Sequence, residues 1–174
     1  MSTVKIIKKC KENNYTAQLE VYNSYKNMML NSVIQIVKNK SQAEDIVQDS
    51  FIKGFQKIKN LDNNANLGAW LKRIAINNSL DYLRNKKKFN FIDDSSILEL
   101  CLEEKEEEVD ESISIDFIKK CIHQLKEKYR IILVLYLIED YNHREIGEML
   151  SLNESTVRNQ YKRGKDLLLK MIQQ

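Results

Sequence analysis

From Ser41 onward, apolar or small residues fall at Ala43, Ile46, Val47, Ser50, Phe51, Gly54, Phe55 and Ile58. This is the i, i+3, i+4, i+7 pattern of a one-sided helix. Ser41 followed by Glu44 predicts a capping box at its start, and Asn60, Leu61 and the polar residues 62–64 predict its stop. Upstream, Leu19, Tyr22, Tyr25, Met29, Val33, Ile36 and Val37 outline another helix, ending near Asn39. A third runs from about Asn66 to Lys86, with Leu67, Trp70, Leu71, Ile74, Ala75 and Leu80 on its apolar side.

The second half repeats the helical pattern with a different ending. Ile118, Cys121, Ile122 and Leu125 share one face, and the run YRIILVLYLI at 129–138 is apolar almost throughout. Its β-branched residues would suit a strand. It lies between helical segments without turn residues, however, so a buried helix is expected. Next, NHREIGEML at 142–150 places Asn142 and Glu145 at capping-box spacing. After a break at 151–153 comes ESTVRNQYKRGKDLL at 154–168. A short helix, a tight break and a second helix make a helix-turn-helix. Ile146, Leu150, Leu152, Val157 and Tyr161 would hold its angle, and Asn153 is positioned to cap the second helix. Gly164 lies on the stripe of Val157, Tyr161 and Leu168, which predicts close packing against a neighbouring helix that offsets the poor helix propensity of glycine.

Composition supports an all-α chain. Its 174 residues include no proline and four glycines, which argues against a turn-rich sandwich or barrel. Charge then divides it. Residues 1–88 hold 16 Lys/Arg against 7 Asp/Glu, a net +9; residues 89–116 hold 1 against 11, a net −10; residues 117–174 hold 11 against 7, a net +4. The overall +3 thus covers two basic blocks separated by an acidic one. Two small helical domains, each suited to a polyanion, joined by a flexible acidic linker are expected. The stretch EEKEEEVDE at 103–111 lacks aromatics and fits that linker.

Other classes fall away. No apolar run is long enough to span a membrane, and the first residues lack an apolar signal core, so no membrane insertion and a cytoplasmic location are expected. Cys10, Cys101 and Cys121, with His123 and His143, offer neither a disulfide framework nor a zinc site. No glycine-rich phosphate loop and no nucleophile–base pair stands out. The expectation is a protein without cofactor, metal or catalytic residues.

Three faces carry candidate chemistry. On the Ser41 helix, Glu44, Asp45, Gln48, Asp49 and Lys53 lie opposite the apolar side, a locally acidic face inside a basic block. A cationic protein partner and plain solubility are both open at this point. On the third helix, Arg73, Asn77, Asp81 and Arg84 recur three or four apart and line one stripe, continued by Lys86, Lys87 and Lys88. With Trp70 and Tyr82 close by, the stripe suits single-stranded nucleic acid, cations holding phosphates while aromatics stack on bases; for Trp70 a core position is the more usual reading. In the helix-turn-helix, the outer face of the second helix presents Ser155, Arg158, Asn159, Lys162 and Arg163. Arginine reads guanine bidentately and asparagine reads adenine, so the helix start suits base readout, while the lysines suit phosphates.

Taken together, these segments resemble the extracytoplasmic-function (ECF) group of bacterial sigma factors. AEDIVQDSF at 43–51 is similar to the family's AEDxxQ(E/D)xF polymerase-binding helix. AWLKRIAIN at 69–77 with DYLR at 81–84 looks like its W-L-x-x-I-A-x-N…D-x-x-R stretch. LKEKYR at 125–130, followed by Glu145-Ile-Gly147, Leu150, Ser155-Thr156-Val157 and Lys162-Arg163, resembles its second DNA-binding domain.

The resemblance implies residues 1–88 as sigma region 2, 89–112 as linker and 113–174 as sigma region 4. It gives Glu44, Asp45, Gln48 and Asp49 to core RNA polymerase, at the clamp helices of the largest subunit. It gives the loop 62–68, with Asn63, Asn64 and Asn66, to a flipped base of the minus-ten element, and Trp70, Arg73, Asn77, Asp81, Arg84 and Lys87 to strand separation and the single strand. Ser155, Thr156, Arg158, Asn159, Lys162 and Arg163 would read the minus-thirty-five duplex, beside the flap of the second polymerase subunit. The acidic linker would thread toward the RNA exit path. An anti-sigma factor commonly occludes both domains in this family, and another DNA-targeting protein is a further conceivable partner. A helix-turn-helix regulator that never joins polymerase is the alternative. The chain departs from the family in having Lys126 after Leu125 instead of proline, and Gly147 and Gly164 instead of alanines.

Overall fold

The computed structural model describes residues 2–87 and 114–173. Among these residues the regular structure is all helical, with no strand. It divides into two compact units, residues 1–89 and 90–174, each considered by itself below. The linker expected at 89–112 lies outside the described residues, as do Cys101 and Lys88.

The first unit contains α1 (Thr3–Lys11), α2 (Tyr15–Val37), α3 (Lys40–Lys57), a 3-10 turn (Ile58–Asn60) and α4 (Leu67–Lys87). Helices α2, α3 and α4 pack mutually around Val21, Met29, Val33, Val47, Phe51, Leu71 and Ala75. Tyr22, Phe51 and Phe55 form an aromatic ladder in that core, with centroids 4.9 and 6.0 Å apart. Helix α1 lies on α2 and the 3-10 turn, burying Ile6, Ile7 and Cys10. It has no counterpart in the elements expected from sequence, although Val4, Ile7 and Cys10 stand three apart. The capping box expected at Ser41 is corrected: Asn39 is the cap, its Oδ1 accepting from the Gln42 amide at 3.0 Å. Asparagine there follows Lys38, whose left-handed φ of 58° closes α2.

The second unit contains α5 (Ile115–Gln124), α6 (Glu127–Leu133), a turn of π-helix (Val134–Ile138), α7 (His143–Leu150) and α8 (Glu154–Ile172). The apolar run at 129–138 is helical and buried at positions 130–135, as its all-round hydrophobicity implies. Its last turn widens, with Glu139 N donating to Val134 O and Tyr141 N to Leu135 O. The capping box at Asn142 and Glu145 is complete, both hydrogen bonds being 2.9 Å. Asn153 precedes α8, but its side chain makes no capping bond, which corrects that expectation. Its backbone carbonyl does start the helix, accepting from Val157 N at 3.1 Å.

Both unusual glycines mark close approach. A Cβ on Gly147 would stand 2.7 Å from the backbone carbonyl oxygen of Leu152. One on Gly164 would meet Tyr129 Cβ at 3.2 Å and Leu133 Cδ1 at 3.3 Å. Gly147 therefore lets the turn fold tightly onto α7, and Gly164 lets α8 sit against α6.

Candidate functional site

The amphipathic logic of α3 separates its two sides cleanly. Ala43, Ile46, Val47, Ser50, Phe51 and Gly54 are buried, leaving Glu44, Asp45, Gln48 and Asp49 exposed. The three carboxylates make no ion pair among the described residues. Ile52 lies on the same side and is 56% exposed. The sequence reading missed it, because isoleucine in an apolar-rich helix reads as core; its place one turn beyond Gln48 was the available signal.

The loop expected at 62–68 is shorter, since Leu67 and Gly68 form the first turn of α4, and it is held from both ends. Lys11 Nζ donates to the carbonyl oxygen of Leu61, tying α1 to the loop's start. Asp62 Oδ1 accepts from Asn64 N at 2.7 Å, an Asx turn that shapes its middle. Asn66 Oδ1 accepts from Ala69 N at 3.0 Å and so caps α4. The three asparagines are therefore not equivalent. Asn64 is exposed, Asn66 is engaged as a cap, and Asn63 turns its Oδ1 into a buried position without a hydrogen bond.

Along α4, Arg73, Asn77 and Asp81 are exposed and Arg84 is half-buried, so the expected stripe is on the surface. Asp81 Oδ1 accepts from Arg84 Nη1 at 2.8 Å and orients that guanidinium. Trp70 and Tyr82 are half-buried and pack against the core, Tyr82 beneath the Lys86 ammonium at 5.6 Å from the ring centroid. Lys87 is the last residue of α4.

In the second unit, Ser155, Arg158, Asn159 and Arg163 are exposed on α8, with Thr156 and Lys162 half-buried. Val157 and Leu168 are buried on the opposite side. Arg158 Nη2 pairs with Glu154 Oε1, one turn earlier on the helix. Beneath this face, His143 stacks on Tyr136 with centroids 4.5 Å apart and meets Tyr161 edge-on at 5.0 Å. The π-helical turn carries Tyr136 into this contact. His143 Nε2 is buried without a hydrogen bond.

Desolvation, then the nearby Arg158 charge, hold the His143 pKa below its ordinary 6.5, with Glu154 opposing. The unfolded chain therefore takes up a proton first as pH falls, so this histidine lowers stability below about pH 6.5 and is neutral above it. Urea denaturation at pH 7.5 and 5.5 should show the second unit losing stability at the lower pH. His143→Phe should lose less, since it keeps the stack without the titrating group.

Comparison with known proteins assigns these units. The family model "Sigma-70 region 2" matches residues 21–89, and "Sigma-70, region 4" matches residues 118–168. One match falls in each unit, and between them they include every candidate face. The chain belongs to the ECF sigma factors. The ECF RNA polymerase sigma factor SigW of Bacillus subtilis (strain 168) is 29% identical over 182 residues, covering 99% of this chain and 97% of that protein. SigV of the same organism is 29% identical over 132 residues, 76% of each chain. The fold of the sigma factor RpoE, solved with the anti-sigma factor NepR from Bartonella quintana, matches with a TM-score of 0.57 at 18% identity. That match covers 88% of this chain and 95% of RpoE. CnrH, solved with the cytosolic domain of CnrY, gives 0.56 at 15% identity, covering 98% and 96%.

The function of this ECF sigma factor is promoter-specific initiation of transcription. No helix among its described residues is long and apolar enough to cross a membrane.

Proposed function

We propose that this ECF sigma factor works as a non-catalytic subunit of the initiating polymerase, in the cytoplasm, with its roles divided among the faces described above. The observation that supports this most is the acidic face of α3, bare of ion pairs inside a block carrying +9. A helix that only needed solubility would gain more from mixed charge. Glu44, Asp45, Gln48 and Asp49, joined by Ile52, dock on the cationic clamp helices of core polymerase. Residues 1–88 form this docking and melting domain, and residues 89–112 the tether.

Within residues 1–88, the loop leading into α4 and the α4 stripe act on the minus-ten element. Base extrusion costs a few kcal/mol, so a pocket fixed in advance matters more than charge alone. The Lys11 contact, the Asx turn and the Asn66 cap supply that fixity. Arg73, Asn77, Arg84 and Lys87 hold the separated strand, Asp81 sets Arg84, and Trp70 offers its open edge. Residues 113–174 read the minus-thirty-five duplex through Ser155, Thr156, Arg158 and Asn159, with Lys162 and Arg163 on phosphates and the polymerase flap beside them. An anti-sigma factor covering both acidic and basic faces would hold the protein inactive.

Run-off transcription with core polymerase on a genomic fragment library tests the whole reading. Specific start sites dependent on this protein are expected. DNA binding without any stimulated start would instead favour a regulator that does not join polymerase.

A further inference from the structure

Lys53 follows Asp49 by one helical turn, the spacing at which the two would ordinarily pair along a helix. The ammonium goes elsewhere. Lys53 Nζ donates to Asn78 Oδ1 on α4 at 2.9 Å. Asn78 Nδ2 donates to Ser50 Oγ at 2.8 Å, and Ser50 Oγ donates to Ile46 O at 2.6 Å. This relay begins at the exposed edge of α3, crosses to α4 and ends in the α3 backbone.

Its direction is fixed by chemistry. The Ser50 hydroxyl is fully buried and gives its hydrogen to the Ile46 carbonyl, so it can only accept from Asn78. The Asn78 amide must therefore present its NH2 inward and its oxygen outward, and that oxygen is what draws the ammonium. The helices approach closely beside this relay: a Cβ on Gly54, one turn beyond Ser50, would stand 2.7 Å from Leu71 Cδ2. Asp49 consequently faces solvent without the Lys53 ammonium upon it, and Glu44 and Asp45 are exposed beside it with no ion pair among the described residues.

We propose that Asn78 is a positioning residue for polymerase docking. It holds Lys53 over the seam between α3 and α4, so that the carboxylates of the α3 docking face stay unpaired for a cationic partner. The proposal rests on the docking role of α3 given above, and Asn78 itself need not touch the polymerase. Without the amide oxygen, Lys53 returns to Asp49 and both neutralises and repels where the partner must approach.

The test measures affinity of the full chain for purified core polymerase at low salt by fluorescence anisotropy. Asn78→Ala should weaken binding about threefold, the scale of a single surface charge pair. The double variant Asn78→Ala/Lys53→Ala should recover the lost affinity, which a loosened α3–α4 contact would not do. Unaltered binding by Asn78→Ala, or no recovery in the double variant, overturns the proposal. Asp45→Lys/Asp49→Lys runs alongside: if it binds normally, the docking role of α3 falls and the proposal with it. If it fails to bind while Asn78→Ala is unaffected, only the proposal falls.

Discussion

Asp45→Lys/Asp49→Lys should abolish co-purification with core polymerase, a loss of at least about 100-fold in affinity. Both carboxylates are exposed on α3 and unpaired, so a cationic partner can take them without first breaking an internal ion pair. Close charge pairs across interfaces couple by about 1.5–7 kcal/mol each, and every 1.4 kcal/mol is about tenfold. Two reversals replace attraction by repulsion twice, so even the low end of that range exceeds 100-fold. The fold should survive, because neither side chain is buried and the apolar side of α3 is untouched. Circular dichroism of the variant checks this, and a pull-down with core polymerase reads the effect. Unchanged association would sink the docking role of α3, whereas duplex binding by the second unit should persist.

Arg158→Ala should reduce discrimination at particular minus-thirty-five positions by roughly 5- to 150-fold, corresponding to about 1–3 kcal/mol for a bidentate base contact. In the free protein Arg158 is paired with Glu154, so the two interactions compete. The side chains are 65% and 43% exposed. A surface pair of that kind contributes about 0–1 kcal/mol, less than the base contact, so DNA wins and Glu154 costs little affinity. Lys162→Ala should differ in kind, weakening all sequences alike and lowering the salt slope by about 1. Binding measured on a panel of single-base promoter variants at two salt concentrations separates the two. Equal loss on every sequence for Arg158→Ala would refute its role as a base reader.

The candidate faces differ in how openly the sequence shows them. The α3 pattern shows both sides at once, since alternation of apolar and acidic residues at helical spacing leaves one solution. The helix-turn-helix is equally plain, because its capping box and its break fall where the structure has them. Helix α1 is less visible. It is short, rich in lysine and helical chiefly because α2 and the 3-10 turn bury its Ile6, Ile7 and Cys10. Caps were ambiguous wherever several cap-forming residues stood together: Asn39 and Ser41 both qualify by type, and only backbone geometry selects Asn39.

By itself, then, the sequence of this ECF sigma factor determined the helical class, the charge blocks, the acidic face of α3 and the basic, amide-bearing face of α8. Those features depend on periodicity and residue chemistry, which act within one helix. What the tertiary structure decided are relations between helices distant in sequence. Lys53 leaves Asp49 for an asparagine 25 residues away, Lys11 reaches across to hold the loop start, and a π-helical turn brings Tyr136 under His143 and against Tyr161. Each is a choice among several local partners that sequence spacing allows. Packing makes that choice, because only the folded core fixes which groups stand within hydrogen-bond or stacking distance.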